Sequence, residues 1–253
     1  MSLTKQIVKK QQTLLVDLSA DAKLFLETQK KLNEYDIQEE ILNDLVKRYK
    51  DHSNYEAVET KAKLLNLFYS TGIQAINKVV ERIMSIANID AILNRPSYSK
   101  ELVDTIAELN LADGSKRNNY SFATKYCALH QPKKYPIYDS IVASIFTTLM
   151  EKGALPPYKL KTERKAKSTG LVMTKGEFFE KLRDYDFFVT VYDHFMEDYG
   201  LKREFSYRQV DWYLWGSYKE GGSPTEIEKL TQLDPKKYSV YTPKQIKKTI
   251  TIR

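Results

Sequence analysis

The sequence predicts an almost wholly α-helical protein in two packed lobes, with at most a short β-hairpin. Two observations predict this: apolar residues recur at three- and four-residue spacing, and strand-like alternation is scarce. The chain has 253 residues, 42% of them hydrophobic, so it can bury one large core or two smaller ones. The expected organisation is an N-terminal helical lobe over 1–111, a second helical lobe over 112–220 and a basic tail over 221–253.

Local signals place the elements of the first half. Residues 36–39 and 53–56 have capping-box spacing, in which the first side chain accepts from an orphan N–H and a glutamate reaches back, so helices are expected to begin there. A further helix is expected over 99–109, and 112–119 is the clearest loop, near the expected lobe junction. Between them runs one apolar helix stripe, which indicates a core-facing helix and consists of Ile73, Ile76, Val79, Val80, Ile83 and Ile86.

The second half differs in composition. The segment 155–174 contains two prolines and five basic residues against the single acid Glu163, which predicts a mobile basic loop. Aromatic residues then concentrate over 178–218 at helical spacing, which predicts two or three helices. In the tail, Thr249–Ile252 is a candidate short strand. The basic residues of the loop are Lys159, Lys161, Arg164, Lys165 and Lys167.

Charge and cysteine content narrow the class of protein. The chain has 40 Lys and Arg against 33 Asp and Glu, a net charge of +7, which permits polyanion binding without requiring it. A single cysteine, Cys127, excludes an intrachain disulfide and an all-cysteine metal site, and a buried inert thiol is expected. No signal-like segment or run of about 20 apolar residues occurs, so a cytoplasmic, non-membrane protein is expected. Three isolated histidines and nine glycines offer no metal-ligand spacing or phosphate loop, so no metal or cofactor is expected.

The segment 121–142 carries the most chemical information. A short helix runs into a basic turn, Pro136 stops it, and Asp139 stands at the start of a second apolar helix expected over 140–150. An aspartate in that position is a favoured N-cap, because its carboxylate accepts backbone N–H bonds and complements the positive helix end. On residue chemistry alone, the cap is the preferred interpretation of Asp139.

The run Tyr135-Pro-Ile-Tyr-Asp139-Ser-Ile-Val142 resembles the segment that carries the catalytic aspartate in the helix-hairpin-helix DNA glycosylases, the superfamily of endonuclease III and adenine DNA glycosylase. Ser121 lies where that family has lysine in its lyase members and serine or another residue in monofunctional ones. The resemblance covers about thirty residues, 117–146. It implies an enzyme that removes bases from DNA, with Asp139 stabilising the positive charge that develops on the sugar.

Further residues take roles if the resemblance holds, since a flipped base needs an aromatic pocket and the backbone needs cationic contacts. The candidate pocket residues are Tyr135, Tyr138, Arg208 and Trp212. The candidate nucleic-acid contacts are Asn119, Ser121, Lys125, Lys133, Lys134, Lys159, Lys161, Lys165 and Lys167.

The chain also departs from the family pattern. The family's hairpin has Gly-Val-Gly, whose amides hold a DNA phosphate, whereas this chain has Arg117-Asn118-Asn119. Asn119 could replace one glycine, because asparagine tolerates positive φ, but Arg117 could not do so cheaply. The hairpin is therefore either degenerate or absent. Ser121 indicates no Schiff-base nucleophile, although Lys125 lies one helical turn further on.

Three classes of function remain open. The first is a divergent DNA glycosylase-like enzyme that uses Asp139, and the second is a catalytically inactive relative that binds nucleic acid. The third is a helical protein-interaction module whose basic charge is incidental. Against the first, tyrosines at helical spacing mostly fill cores, and Arg208 with Asp211 at i, i+3 is more typical of a surface ion pair than of a phosphate contact or a partner for Asp139.

Overall fold

The computed structural model describes residues 18–28, 34–111, 114–160, 172–219 and 250–252. These residues are mostly helical, as predicted. The helices are α1 (18–28), α2 (Glu34–Arg48), α3 (Tyr55–Phe68), α4 (Ile76–Met84), α5 (Ile89–Leu93), α6 (Lys100–Ala107), α7 (Tyr120–His130), α8 (Ser140–Glu151), α9 (Lys175–Lys181), α10 (Tyr185–Asp198) and α11 (Tyr207–Lys219), with a 3₁₀ turn at Leu201–Arg203.

The strands are short and form two separate pairs. β1 (Glu108–Asn110) pairs antiparallel with β2 (Lys116–Asn118), and Gly114 turns between them at φ +80°. β3 (Tyr158–Leu160) pairs in parallel with β4 (Ile250–Ile252). The candidate strand at 249–252 is thus confirmed. Two regions expected as loops carry a strand instead: β2 lies in 112–119, because its backbone is taken up by β1, and β3 lies in 155–174.

Several predicted helix starts are confirmed and one is corrected. The side chain of Ser99 caps α6 by accepting from the Leu102 amide, and Asp139 caps α8. The cap of α3 is Asn54 rather than Ser53, because the Asn54 side chain accepts from Ala57 N at 2.9 Å. α2 begins at Glu34, upstream of the predicted cap at Asp36.

The described residues divide into two compact units. The unit that we call the 27–138 unit contains Glu27–Tyr138 and Ser206–Arg208. The other, the 139–205 unit, contains Asp139–Phe205 together with the segments before Glu27 and from Gln209 onward. The division falls between Tyr138 and Asp139 rather than at residue 112, because β1 and β2 pair across 112 and keep both sides of that loop in one unit.

In the 27–138 unit, α3 packs on α4, and α6 packs on α7. The predicted stripe on α4 is buried at its centre, where Val79, Val80 and Ile83 are each 0% exposed. This confirms the core-facing helix that the apolar spacing predicted.

In the 139–205 unit the core is built mainly from aromatic rings. Phe146 of α8 contacts Tyr192 and Phe195 of α10, with ring centroids 5.3 Å apart in each pair. Tyr213 of α11 donates a hydrogen bond to Asp21 of α1. A Cβ at Gly216 would collide with Cζ of the Phe25 ring, so a side chain there would force that ring to shift. The aromatic concentration at 178–218 therefore forms helices, as predicted.

Candidate site around the N-terminal half of α7

Two side chains on one face of α7 bond to the backbone of Tyr138, and a third bonds to one of these two. The hydroxyl of Ser121 donates to the Tyr138 carbonyl at 3.1 Å, and the Tyr138 amide donates to Thr124 Oγ1 at 3.1 Å. The Lys125 ammonium donates to Ser121 Oγ at 2.6 Å. These residues stand at i, i+3 and i+4, so a single helical turn presents all three. Both backbone groups of the residue directly before Asp139 are thereby fixed.

Lys125 is buried, with 4% of its surface exposed. Its Nζ lies 5.8 Å from the centroid of the Tyr69 ring, and the guanidinium carbon of Arg208 lies 5.2 Å from the same centroid. Cations at such distances from an aromatic ring are attracted by its quadrupole. Lys125, which the sequence suggested as a nucleic-acid contact, therefore lies in the interior of the 27–138 unit.

Arg208 forms its salt bridge with Glu39 of α2, 169 residues away in sequence, at 2.7 Å between Nη2 and Oε2. Neither interpretation of Arg208 drawn from the sequence included this partner. The reason is physical: helical spacing identifies neighbours on one helix, and it contains no information about a residue on another helix.

The candidate pocket residues Tyr135 and Tyr138 are core residues, 1% and 7% exposed. The Tyr135 hydroxyl accepts from the Ser99 amide at 2.9 Å, and the Tyr138 ring lies 4.8 Å from that of Tyr120. Burial raises the pKa of Tyr135 to about 12. The structural interpretation of these two tyrosines is confirmed. Trp212 is half-buried on α11.

The predicted nucleic-acid contacts lie in different environments. Lys133 is exposed, whereas Lys134 donates to the carbonyls of Leu93 and Arg95 at 2.7 Å each and so holds the end of α5. Lys159 belongs to β3, and its side chain is not described. Lys161, Lys165 and Lys167 lie outside the described residues.

The segment that the resemblance compares with a glycine hairpin, Arg117-Asn118-Asn119, contains the last two residues of β2. Asn119 has φ −95°, so it does not adopt the positive φ suggested for it, and its amide donates to the Ala107 carbonyl at 2.8 Å. That amide cannot also hold a phosphate. Instead β2 presents two exposed cations, Lys116 and Arg117, which the sequence analysis did not select. No local signal marked this strand, because all three residues of β2 are polar and exposed and so show no alternation.

Asp139 is a half-buried N-cap. Its Oδ1 accepts from the Ile141 amide at 2.8 Å, and its backbone is extended, with φ −133° and ψ 148°. The cap prediction is thus confirmed. The catalytic role of Asp139 stays a prediction.

A second polar cluster was missed by the sequence analysis, which treated the histidines as isolated. The rings of His52 and His130 pack against each other in the 27–138 unit at a tilt of 32°, with centroids 4.8 Å apart, although 78 residues separate them. Across the part of the chain that the structure describes, no three His, Cys, Asp or Glu side chains are grouped as a metal site.

Cys127 is fully buried, and burial raises the pKa of its thiol, as expected for an inert residue.

No helix among the described residues is long and apolar enough to span a membrane. The fold and the α7 site together define a helical protein in which Ser121, bonded to the buried Lys125, and Thr124 hold the residue that directly precedes an aspartate N-cap.

Comparison with known proteins adds a family resemblance over part of the chain. The family model HI_0787_N, described as an N-terminal domain, matches residues 21–134. An uncharacterized protein of Haemophilus influenzae is 37% identical over 120 residues, which is 46% of this chain and 58% of that protein. The chain therefore spans little more than half the length of this relative. No solved structure matches. The matched family region contains Ser121, Thr124 and Lys125 and ends before Asp139.

Proposed function

We propose that the chain binds nucleic acid and removes a base from it, as a divergent relative of the helix-hairpin-helix DNA glycosylases, with Asp139 as the catalytic carboxylate. The observation that carries the proposal is that Ser121 and Thr124 hydrogen-bond to the backbone carbonyl and amide of Tyr138. A carboxylate must be held within a fraction of an ångström to act on a reacting sugar. The two hydrogen bonds to Tyr138 restrain the backbone on the N-terminal side of Asp139.

The chemistry asks for a negative charge close to the sugar ring. When the N-glycosidic bond breaks, the electron pair leaves with the base and positive charge develops on the sugar, which a carboxylate stabilises while water adds to the anomeric carbon. The bond from Ile141 N supports this role, because it holds the Asp139 carboxylate in one orientation.

Phosphate contacts in this proposal come from side chains rather than from a glycine hairpin. The Asn119 amide is already bonded to Ala107, whereas Lys116, Arg117 and Lys133 are exposed in the same unit. Lysine and arginine side chains bind phosphates with a strong salt dependence, because binding releases condensed counterions.

The decisive experiment measures base release from a panel of damaged and mismatched duplexes by the parent, Asp139→Asn and Asp139→Ala, alongside thermal stability. Asparagine caps nearly as well as aspartate, so the Asn variant should stay folded while base release falls by about 10² or more. The Ala variant should in addition lose about 0.5–2 kcal/mol of stability. If the parent releases no base from any duplex, Asp139 is a cap alone and the enzyme proposal fails.

Binding is tested separately by measuring duplex affinity against salt concentration. The double variant Lys116→Glu/Arg117→Glu should weaken binding and reduce the salt slope by about 2, roughly one for each contact. The matched control is Lys47→Glu/Arg48→Glu at the exposed end of α2, which should leave the slope unchanged. Replacing Lys159, Lys161, Lys165 and Lys167 by Glu tests the loop. Equal slopes in all four proteins would mean that these residues do not contact the backbone.

A second candidate, a helical protein-interaction module, is supported by the exposed face of α2. Ile37 and Ile41 stand one turn apart and are 60% and 41% exposed. Single exposed apolar residues are ordinary, but an i, i+4 pair presents a small apolar stripe. Sedimentation analysis would favour this candidate if the chain self-associates, fails to bind DNA at low salt, and becomes monomeric on Ile37→Ser/Ile41→Ser substitution.

A further inference from the structure

His52 is bonded through both of its ring nitrogens inside the 27–138 unit. Nδ1 lies 2.7 Å from Asp90 Oδ1, and Nε2 lies 2.9 Å from the Tyr126 hydroxyl. The His52 amide also donates to Asp90 Oδ2 at 3.1 Å. His52 is 6% exposed and Tyr126 is 0% exposed, so this chain of bonds enters the core from the half-buried carboxylate of Asp90.

His130, at the C-terminal end of α7, packs its ring at a tilt against the rings of His52 and Tyr126. Its ring centroid lies 4.8 Å from that of His52 and 5.1 Å from that of Tyr126. Its Nε2 is buried and has no hydrogen-bond partner. A neutral imidazole tolerates an unpartnered acceptor nitrogen at modest cost, whereas a protonated one would leave a charged donor buried and unpaired.

A buried ammonium makes a second charge at this place costly. Lys61 of α3 is 0% exposed and donates to the Tyr49 carbonyl at 3.0 Å. Burial, and after it the positive charge of Lys61, holds the pKa of His130 well below its usual 6.5. Burial also lowers the pKa of His52, against the opposing effects of Asp90 on α5 and of Asp51 before α3.

We propose that His52, Lys61, Asp90, Tyr126 and His130, which we call the histidine cluster, form an acid-sensitive latch that releases α7 within the 27–138 unit when His130 takes up a proton. In the closed state the cluster contains one buried ammonium and two neutral rings. A proton on His130 adds a second positive charge beside Lys61 and a donor that nothing accepts. The protonated ring gains a hydrogen-bond acceptor once α7 separates from the rest of the histidine cluster and water reaches Nε2.

The latch acts on the helix that carries Ser121 and Thr124. Opening of the latch would therefore also weaken the hydrogen bonds of these two residues to Tyr138. This consequence does not depend on the proposed nucleic-acid function. The sign of the pH effect follows from linkage: the open state binds more protons than the closed state below its pKa of about 6.5, so closure is favoured above that pH and lost below it.

The test is hydrogen exchange of the full chain between pH 7.5 and 5, read by mass spectrometry and corrected for the intrinsic exchange rate. The open-to-closed ratio of α3 and α7 peptides should rise by up to about tenfold per pH unit below 6.5, while α10 peptides stay protected. His130→Gln cannot titrate and should remove most of this rise. His194→Gln is the matched control, because His194 bonds a buried tyrosine, Tyr158, at 3.0 Å in the other unit.

Two results would overturn the proposal. One is α7 protection that does not change with pH in the parent, or changes equally in His130→Gln. The other comes from the parent alone, which keeps the test valid if the variant fails to fold: ring resonances of His130 that titrate near 6.5 while α7 stays protected would show that the cluster accepts the proton without opening.

Discussion

The two units bury different chemistry. Among the described residues, the 27–138 unit buries three basic side chains, His52, Lys61 and Lys125, whereas the buried polar residues of the 139–205 unit are Thr147, Asp211 and Ser217. The second unit instead fills its core with phenylalanine and tyrosine rings. A core of basic groups ties stability to pH, and a core of rings ties it to packing. The units should therefore respond differently to the same perturbation.

The largest expected effect is loss of a ring from the aromatic core. Phe146 is 0% exposed and lies 5.3–6.2 Å, centroid to centroid, from Phe188, Tyr192 and Phe195. Phe146→Ala should cost about 3–5 kcal/mol in free energy of unfolding, because it leaves a cavity as well as losing burial. Urea denaturation followed by tryptophan fluorescence measures it, since both tryptophans, Trp212 and Trp215, belong to the 139–205 unit.

Leu24→Ala is the control for that measurement, because Leu24 is 65% exposed and its truncation should change stability by no more than about 0.5 kcal/mol. The cost of Phe146→Ala should be the same at pH 6 and pH 8. A cost that changes with pH, or one below about 1 kcal/mol, would show that the ring cluster does not dominate this core.

The second effect belongs to the 27–138 unit and depends on pH. Burial lowers the pKa of Lys61 from 10.5 to about 8, against the opposing charges of Asp90 and Asp51. The unfolded chain therefore binds more protons than the folded chain between pH 8 and 10.5, so this lysine makes the protein more stable as pH rises. Its contribution should grow by up to about 1.4 kcal/mol per pH unit across that window.

The measured quantity is the stability difference between the parent and Lys61→Met, followed by circular dichroism from pH 7 to 10. The variant's relative stability should be highest at pH 7 and fall as pH rises. Taking the difference removes the titration of Cys127 and Tyr126, which both proteins share. Lys63→Met, at a half-exposed site, should show no such trend. A constant difference for Lys61→Met would mean that Lys61 is not desolvated in solution.

The sequence predicts the features of this fold that depend on neighbouring residues, and it does not predict contacts between residues that are far apart in the chain. Ser99 and Asp139 were identified as helix starts, and Val79, Val80 and Ile83 as core, because caps and stripes are set by residues three or four apart. The pair of Arg208 with Glu39 and the bonds of His52 join residues from 38 to 169 positions apart. No local pattern marks such partners.

The candidate site shows the same limit. The spacing of Ser121, Thr124 and Lys125 can be read from the sequence. That Ser121 and Thr124 bond to the backbone of Tyr138 depends on how the turn at 131–137 folds back along α7. Lys125 was selected as a nucleic-acid contact for its charge and for its place one helical turn after Ser121, and neither feature indicates whether it is buried. Its burial beside Tyr69 required the tertiary structure.

The smallest expected effect is the loss of a helix cap. It tests whether the two units differ only in their cores or also in their helix ends. Asn54 caps α3 in the 27–138 unit, and Thr174 caps α9 in the 139–205 unit, where Glu177 completes a capping box. Each side chain satisfies an orphan helix N–H, so Asn54→Ala and Thr174→Ala should each cost about 1 kcal/mol. Neither cost should change between pH 6 and pH 8. Thermal unfolding at the two pH values measures both, with Asn54→Ser and Thr174→Ser as variants that keep the cap. If loss of the cap in one unit costs several times more stability than loss of the cap in the other, the caps are coupled to the core. The contrast between a basic and an aromatic interior would then not be enough to explain how the two units differ.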